Sequence, residues 1–297
     1  MVEFKRLEGI MPALVTPLNA DETLDEAGMR RLVRRVLDGG VHGVVVLGSA
    51  GEFAPLADAT KRRAIECVVG EVAGQVPVIA GTGEPGTRRA LVTTRQAAEL
   101  GADAAMVVPP YYYGQNPAMV LAHYRTLAAE AGLPIILYNI PGCTKVTLEL
   151  DVVDELKGEA DIVGIKDSGG NFGHYQNLVE RAKSAAFGVV TGSDTLLFAG
   201  LLVGGDGSIG PGANIAPQWF AGLWDAVHDS RLDDAREFQR KIKSLSEVYR
   251  YGGFHSGLKG ALAALGICQP IVTSPMSALT DAQMQMATAK LVELELL

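Results

Sequence analysis

The chain has 297 residues, 48% of them hydrophobic and 20% charged, with a formal net charge of −8 and a pI near 5.2. Its 35 glycines and 14 prolines fall well short of the share that marks low-complexity chains, so disorder, collagen and coiled coil are excluded. With 34 acids against 26 bases the composition also argues against a nucleic-acid partner.

The elements alternate along the chain. Short apolar runs rich in Val and Ile are each followed by a longer amphipathic stretch. Ile10–Val15 leads into Asp25–Gly39, where Met29, Leu32, Val33, Val36 and Leu37 recur at helical spacing. The arginines Arg30, Arg31, Arg34 and Arg35 lie on the opposite side, a solvated helix face rather than a binding patch, and Gly39-Gly40 supplies the stop. Gly43–Leu47 pairs with Asp58–Val72, Val76–Ala80 with Thr87–Leu100, and Ala104–Val108 with Pro117–Ala131. Pro134–Tyr138 is followed by Leu148–Leu156, Ile162–Ile165 by Phe172–Ala182, Phe187–Val190 by Thr195–Val203, and Gly207–Ile209 by Pro217–Val227. Apolar runs of this length suit strands buried on both faces of a parallel sheet. Eight such units without a linker predict an α/β fold, a (β/α)8 TIM barrel over residues 1–230. Ala235, Phe238, Ile242, Leu245 and Tyr249 then form an apolar helical stripe, and Gly257–Leu265 and Asp281–Leu296 read as two more helices. Residues 231–297 are therefore a C-terminal three-helix extension that covers the barrel.

The N-terminal stretch through Leu18 lacks a signal peptide's apolar core, and the most apolar run, Leu196–Gly205, is too short to span a bilayer. Three cysteines without a C-x-x-C pair form no disulfide framework; Cys67 and Cys268 read as buried reduced thiols. A cytoplasmic protein with no membrane partner is expected.

Barrel active sites lie at the C-terminal ends of the strands. That rule selects Gly48–Glu52, Gly81–Glu84, Pro109–Tyr113, Tyr138–Pro141, Lys166–Ser168, Thr191–Asp194 and Ser208–Pro211. Lys166 closes the apolar run Ile162–Ile165, so its amine points into the barrel mouth. Desolvation there favours the neutral amine, which attacks a carbonyl to give a Schiff base. The alternatives are a lysine that snorkels out of the barrel top or pairs with Asp167. Tyr138 and the run Tyr111–Tyr113 offer phenols for proton transfer; rim packing is the plainer account of Tyr111 and Tyr113. The turn at Gly48–Gly51 offers N–H groups and the Ser49 hydroxyl to a carboxylate. The five histidines are scattered without metal-ligand spacing, no metal site is expected, and no G-x-S-x-G elbow is present. Gly204-Gly205-Asp206-Gly207 has the look of a phosphate loop but no basic residue accompanies it.

Taken jointly, Gly48-Ser49-Ala50-Gly51-Glu52, Pro110-Tyr111-Tyr112, Tyr138-Asn139-Ile140-Pro141, Gly164-Ile165-Lys166-Asp167 and Gly204–Gly207 resemble the dihydrodipicolinate synthase/N-acetylneuraminate lyase family of class I, pyruvate-dependent aldolases. The resemblance covers nearly the whole chain. It implies Lys166 as the Schiff-base lysine and Tyr138 as the general acid/base. It implies that Ser49 links Tyr138 to Tyr112 of a neighbouring subunit in a proton relay, and that Gly192 and Ile209 line the pyruvate pocket. It further implies a homotetramer, a dimer of dimers, that needs no metal or organic cofactor beyond the covalent imine at Lys166.

Two departures bear on substrate. The family's second loop hydroxyl is Ala50 here, which leaves loop N–H groups to hold the carboxylate; one charge-assisted hydrogen bond is worth roughly 1.5–3 kcal/mol. Cys143 stands where synthases of the family carry an arginine, and a thiol does not replace a guanidinium fork. Thr195 and Pro211 likewise replace the acid and the serine typical of sialic-acid lyases. What remains is cleavage or synthesis of a 2-keto-3-deoxy sugar acid or related 2-oxo acid, with Asp194, Thr195 and Ser208 facing polyol hydroxyls. Dehydration or deamination through the same imine is an alternative, as is a 2-oxo-acid-binding barrel with weak or no turnover.

Overall fold

The computed structural model describes Phe4 and residues 6–297; residues 1–3 and 5 of the N-terminal stretch lie outside the described residues. Eight parallel strands form one sheet in the order β1-β8-β7-β6-β5-β4-β3-β2. They are β1 (Gly9–Ile10), β2 (Val44–Val46), β3 (Val78–Gly81), β4 (Ala104–Val107), β5 (Ile135–Asn139), β6 (Ile162–Asp167), β7 (Gly188–Thr191) and β8 (Gly207–Ser208). The ring closes beyond β1. Ala13 bridges Val45 in parallel, and Leu14 N–H donates to the Val45 carbonyl at 2.8 Å. The predicted first strand, Ile10–Val15, is regular only at its start because Pro12 has no N–H to give to the ladder. Its carbonyl still accepts from Val45 N–H at 3.0 Å.

The barrel helices are α1 (Glu26–Asp38), α2 (Asp58–Val72), α3 (Thr87–Glu99), α4 (Pro117–Glu130), α6 (Leu150–Leu156), α7 (Phe172–Ala182), α8 (Leu197–Leu202) and α9 (Pro217–His228); a single turn, α5 (Pro141–Thr144), precedes α6. Asp25, Asn116 and Asn171 cap α1, α4 and α7 through their side-chain oxygens, each such cap contributing about 1 kcal/mol. The predicted helix at Thr195–Val203 begins as a 3₁₀ turn over Asp194–Leu196, which lifts Asp194 out of the helix and into the barrel mouth.

Strand residues on both faces are buried: Val44, Val45, Val46, Ala104, Ala105, Ile135, Ile136 and Leu137 are all inaccessible. One side of each strand fills the barrel and the other meets the helices, which explains the unbroken apolar runs. After α9 come α10 (Leu232–Leu245), a 3₁₀ turn (Ser246–Arg250), α11 (Phe254–Ala264) and α12 (Asp281–Glu293). The stripe ending at Tyr249 is thus helix and then 3₁₀ turn. The arginine face of α1 is partly engaged in pairs and carbonyl contacts: Arg30 and Arg34 pair with Glu71, and Arg31 and Arg35 donate to the Ile267 and Ile215 carbonyls. No helix among the described residues is long and apolar enough to cross a membrane.

Candidate active site

β5 and β6 run in register so that Tyr138 stands opposite Lys166. Both side chains are about 97% buried, and Lys166 Nζ lies 4.1 Å from the centroid of the Tyr138 ring. Among the described residues Lys166 forms no ion pair. Asp167, the neighbour weighed as its partner, points the other way: its Oδ1 accepts from Asn139 Nδ2 at 2.6 Å and from Gly169 N–H at 3.3 Å. Burial raises the Asp167 carboxyl above the usual range, against the Asn139 hydrogen bond. Lys166 therefore neither snorkels out nor pairs with Asp167; its amine is held over a phenol inside the mouth.

Tyr138 Oη lies 3.3 Å from Ser49 Oγ. Ser49 begins a 3₁₀ turn, Ser49–Gly51, directly after β2. Gly51 and Glu52 N–H groups are consumed by the Gly48 and Ser49 carbonyls, so Ser49 and Ala50 N–H remain the turn's free donors. Ala50 is buried. Glu52, in the left-handed region with φ 58°, ties this turn to the C-terminal helices. Its carboxylate accepts from Thr273 N–H at 2.7 Å and Thr273 Oγ1 at 2.8 Å, and pairs with Lys259 Nζ at 2.5 Å. Lys259 is fully inaccessible, and burial pulls its ammonium below the ordinary lysine value, against the pull of Glu52. His255 Nε2 sits 2.9 Å from the Ser49 carbonyl oxygen. None of these ties was visible as a motif. Glu52 stands in the strand-end motif, but its partners lie more than 200 residues away, Lys259 within a helix and Thr273 in a loop.

Across the mouth, Gly192 explains its own identity. A Cβ there would stand 1.8 Å from Ser168 Oγ and 2.9 Å from Lys166 Cε. The glycine clears the path of the lysine stem. Ile209 and Ser208 are buried at the end of β8, and Ser208 Oγ has no hydrogen-bond partner. Asp194 is also buried. Its Oδ2 accepts from Tyr249 Oη at 2.8 Å and Gly212 N–H at 3.0 Å, while Oδ1 has no partner. Asp194 Oδ1 and Ser208 Oγ both face the space over Gly210, where a Cβ would come within 2.1 Å and 3.2 Å of them. Burial pushes the Asp194 carboxyl up to about 6, against the hydrogen bonds from Tyr249 and Gly212. Asp194 is expected to face polyol hydroxyls; one of its oxygens is locked into the protein and the other is buried without a hydrogen-bond partner. Tyr249, read as core, supplies that lock. Gln239 adds another by donating to the Asp194 carbonyl at 3.0 Å. Thr195 is exposed, with Oγ1 3.2 Å from Ser193 Oγ.

Two cavities open at the strand ends. One, of about 370 Å³, is lined by Ser49, Phe53, Val108, Tyr111, Ile140 and Cys143 among others. Cys143 is exposed there on α5. The other, of about 320 Å³, is lined by Gly192, Ser193, Asp194, Thr195, Tyr249 and Arg250 among others. Tyr112 belongs to neither. It is 84% exposed, in the left-handed region at φ 79°, and meets only Tyr113 edge-on at 5.0 Å between ring centroids. Within one chain, then, the structure unites Lys166, Tyr138, Ser49, Gly192 and the Asp194–Ser208 pair, and leaves Tyr112 outside. Among the described residues no cluster of His, Cys, Asp and Glu is placed to hold a metal ion.

Comparison with known proteins agrees with this architecture. The model of the dihydrodipicolinate synthetase family matches residues 6–294. A DapA-like lyase of Halobacterium salinarum, itself uncharacterized, is 36% identical over 291 residues, 98% of this chain and 95% of that protein. A 4-hydroxy-tetrahydrodipicolinate synthase of Stenotrophomonas maltophilia is 42% identical over 231 residues, 77% of each. Among solved structures, the prophage protein YagE of E. coli K12, in complex with pyruvate, superposes with a TM-score of 0.94 at 30% identity, covering 98% of this chain and 99% of that one. The buried lysine over a phenol at the mouth of a (β/α)8 barrel thus sits in a chain that belongs to the dihydrodipicolinate synthetase family and is, with it, a carbon–carbon lyase of the Schiff-base aldolase class.

Proposed function

We propose that the chain makes or cleaves a 2-keto-3-deoxy sugar acid or related 2-oxo acid by condensing pyruvate with an aldehyde. The observation that carries this reading is the unpaired, buried Lys166 amine 4.1 Å from the Tyr138 ring, with Tyr138 in turn 3.3 Å from Ser49. Lys166 Nζ attacks the pyruvate carbonyl, and loss of water gives the imine. The imine withdraws electrons, so the methyl carbon gives up a proton and becomes an enamine. That carbon attacks the aldehyde carbonyl, the new oxygen takes a proton, and water releases the product from Lys166. Tyr138 moves the protons, and Ser49 passes them on to a second phenol. We assign that phenol to Tyr112 of a neighbouring subunit in a dimer of dimers, because its own chain leaves it exposed. Pyruvate's carboxylate rests on the Ser49 and Ala50 N–H groups, its methyl against Gly192 and Ile209, and the chemistry needs no metal or organic cofactor.

Cys143 separates this reading from the synthases named above, because no guanidinium grips a dicarboxylate on that side. Asp194, Thr195 and Ser208 take the acceptor's hydroxyl groups instead. The test is borohydride trapping with pyruvate, read by intact mass. The wild type gains one reduced pyruvate adduct and Lys166→Ala gains none; an adduct that survives the substitution sinks the proposal. Product analysis distinguishes outcomes, since a dehydratase or deaminase releases no pyruvate.

A further inference from the structure

Arginines in this molecule are almost all engaged. Arg6, Arg30, Arg63, Arg125, Arg181 and Arg231 hold carboxylates, and Arg35 holds a backbone carbonyl. Among the described arginines only Arg88 and Arg250 form neither an ion pair nor a hydrogen bond. Arg88 lies on the exposed surface of α3, whereas Arg250 lines the cavity that reaches Gly192 and Asp194.

The position of Arg250 is determined by its neighbour. Tyr249 is anchored on Asp194 at 2.8 Å, and Arg250 ends the same 3₁₀ turn. The nearest acid in sequence, Glu247, is taken by Lys290 at 2.9 Å. Asp194 is committed on Oδ2 to Tyr249 and Gly212. A free guanidinium therefore stands at the exposed rim of a polar cavity whose lining also includes the buried Asp194, with its Oδ1 unpartnered.

We propose that Arg250 recognises a carboxylate at the far end of the acceptor aldehyde. The proposal rests on the aldolase reading above and narrows its substrate class to acceptors that carry a hydroxyl in the middle and an acid at the end. Geometry favours that order: the reacting carbon at Lys166, the hydroxyl at Asp194 and Ser208, the anion at the rim. A guanidinium offers a planar fork matched to a carboxylate. One cation balances one charge, and no second basic residue lines the cavity, which argues for carboxylate over phosphate. The anion site that Cys143 fails to provide on one side of the mouth is thereby supplied on the other.

The experiment uses a matched pair of three-carbon aldehydes, glyceraldehyde and tartronate semialdehyde, which differ by a terminal carboxylate; glyceraldehyde 3-phosphate is the third arm. Wild-type enzyme with pyruvate is expected to favour tartronate semialdehyde over glyceraldehyde by about tenfold or more in kcat/KM. Arg250→Gln is expected to remove most of that preference, chiefly through KM, and Arg250→Lys to keep part of it. Rising salt is expected to erode the preference in the wild type. Equal use of the two aldehydes by the wild type, or an unchanged ratio in Arg250→Gln, overturns the assignment. A preference for the phosphate arm that Arg250→Gln abolishes overturns the carboxylate in favour of a phosphorylated acceptor. Wild-type trapping with pyruvate is run alongside: no adduct defeats the aldolase reading itself, whereas an adduct without acceptor preference defeats only the role of Arg250.

Discussion

The two sides of the barrel mouth are built differently. The side of β2 and β5 is walled by Phe53, Val108, Tyr111 and Ile140, with a thiol at Cys143. The side of β7 and β8 carries Asp194, Ser193, Thr195 and Arg250. Tyr138 and Lys166 face each other on β5 and β6. Ser49, within 3.3 Å of the Tyr138 hydroxyl, lines the apolar side, and Asp194, whose Oδ1 like Ser208 Oγ is buried without a partner, lines the other. An apolar wall keeps water from a proton relay, while buried groups left without partners gain free energy only when something polar arrives. On the proposed reading, the division draws chemistry from one side of the mouth and recognition from the other.

Four substitutions probe that division. Tyr138→Phe removes the phenol beside the amine and is expected to lower turnover about 10²–10⁴-fold with its thermal midpoint little changed; steady-state rates and a melting curve check it. Lys259→Met strands the buried Glu52 carboxylate and is expected to cost about 3–5 kcal/mol, read by denaturant unfolding. Were it neutral, the tie from the Ser49 turn to the C-terminal helices would carry no weight.

Asp194→Asn probes the recognition side. The folded carboxyl titrates at about 6, above its unfolded value, so the native state holds its proton more tightly. Stability from this group is fully present below the unfolded value and is lost as pH rises toward about 6. The loss is on the order of 3 kcal/mol. The variant should show a flatter stability profile between about pH 4 and 6 than the wild type; matching profiles would place the titration elsewhere. The smallest effect belongs to Cys143→Arg. At an exposed position it should change stability by no more than about 0.5 kcal/mol. If the apolar side lacks only a cation, acceptors with a terminal acid should then bind more tightly there, seen as a lower KM.

Much of this was legible along the chain. The alternation of apolar runs with amphipathic stretches gave all eight units, because strands buried on both faces carry no polar positions to blur them. Pro12 blurred the first, and the 3₁₀ start of α8 the seventh, since both are backbone effects without hydrophobic periodicity. Lys166 was legible because a charge that closes an apolar run has nowhere inconspicuous to go. Its freedom from Asp167 was not, because only the pleat decides which of two adjacent side chains points inward. Least legible were Lys259, Thr273, Tyr249 and Gln239. Each looks like ordinary helix or loop sequence until the chain folds back over the mouth.

That return of the chain has a practical consequence. A protein truncated after α9 would keep every strand, Lys166 and Tyr138, yet lose Lys259, Thr273 and His255 from the Ser49 turn and Tyr249, Gln239 and Arg250 from the Asp194 loop. The last 65 or so residues act as a jig for loops that lie far upstream. Directed evolution of acceptor preference can therefore begin in this tail, leaving the strands that carry Lys166 and Tyr138 untouched.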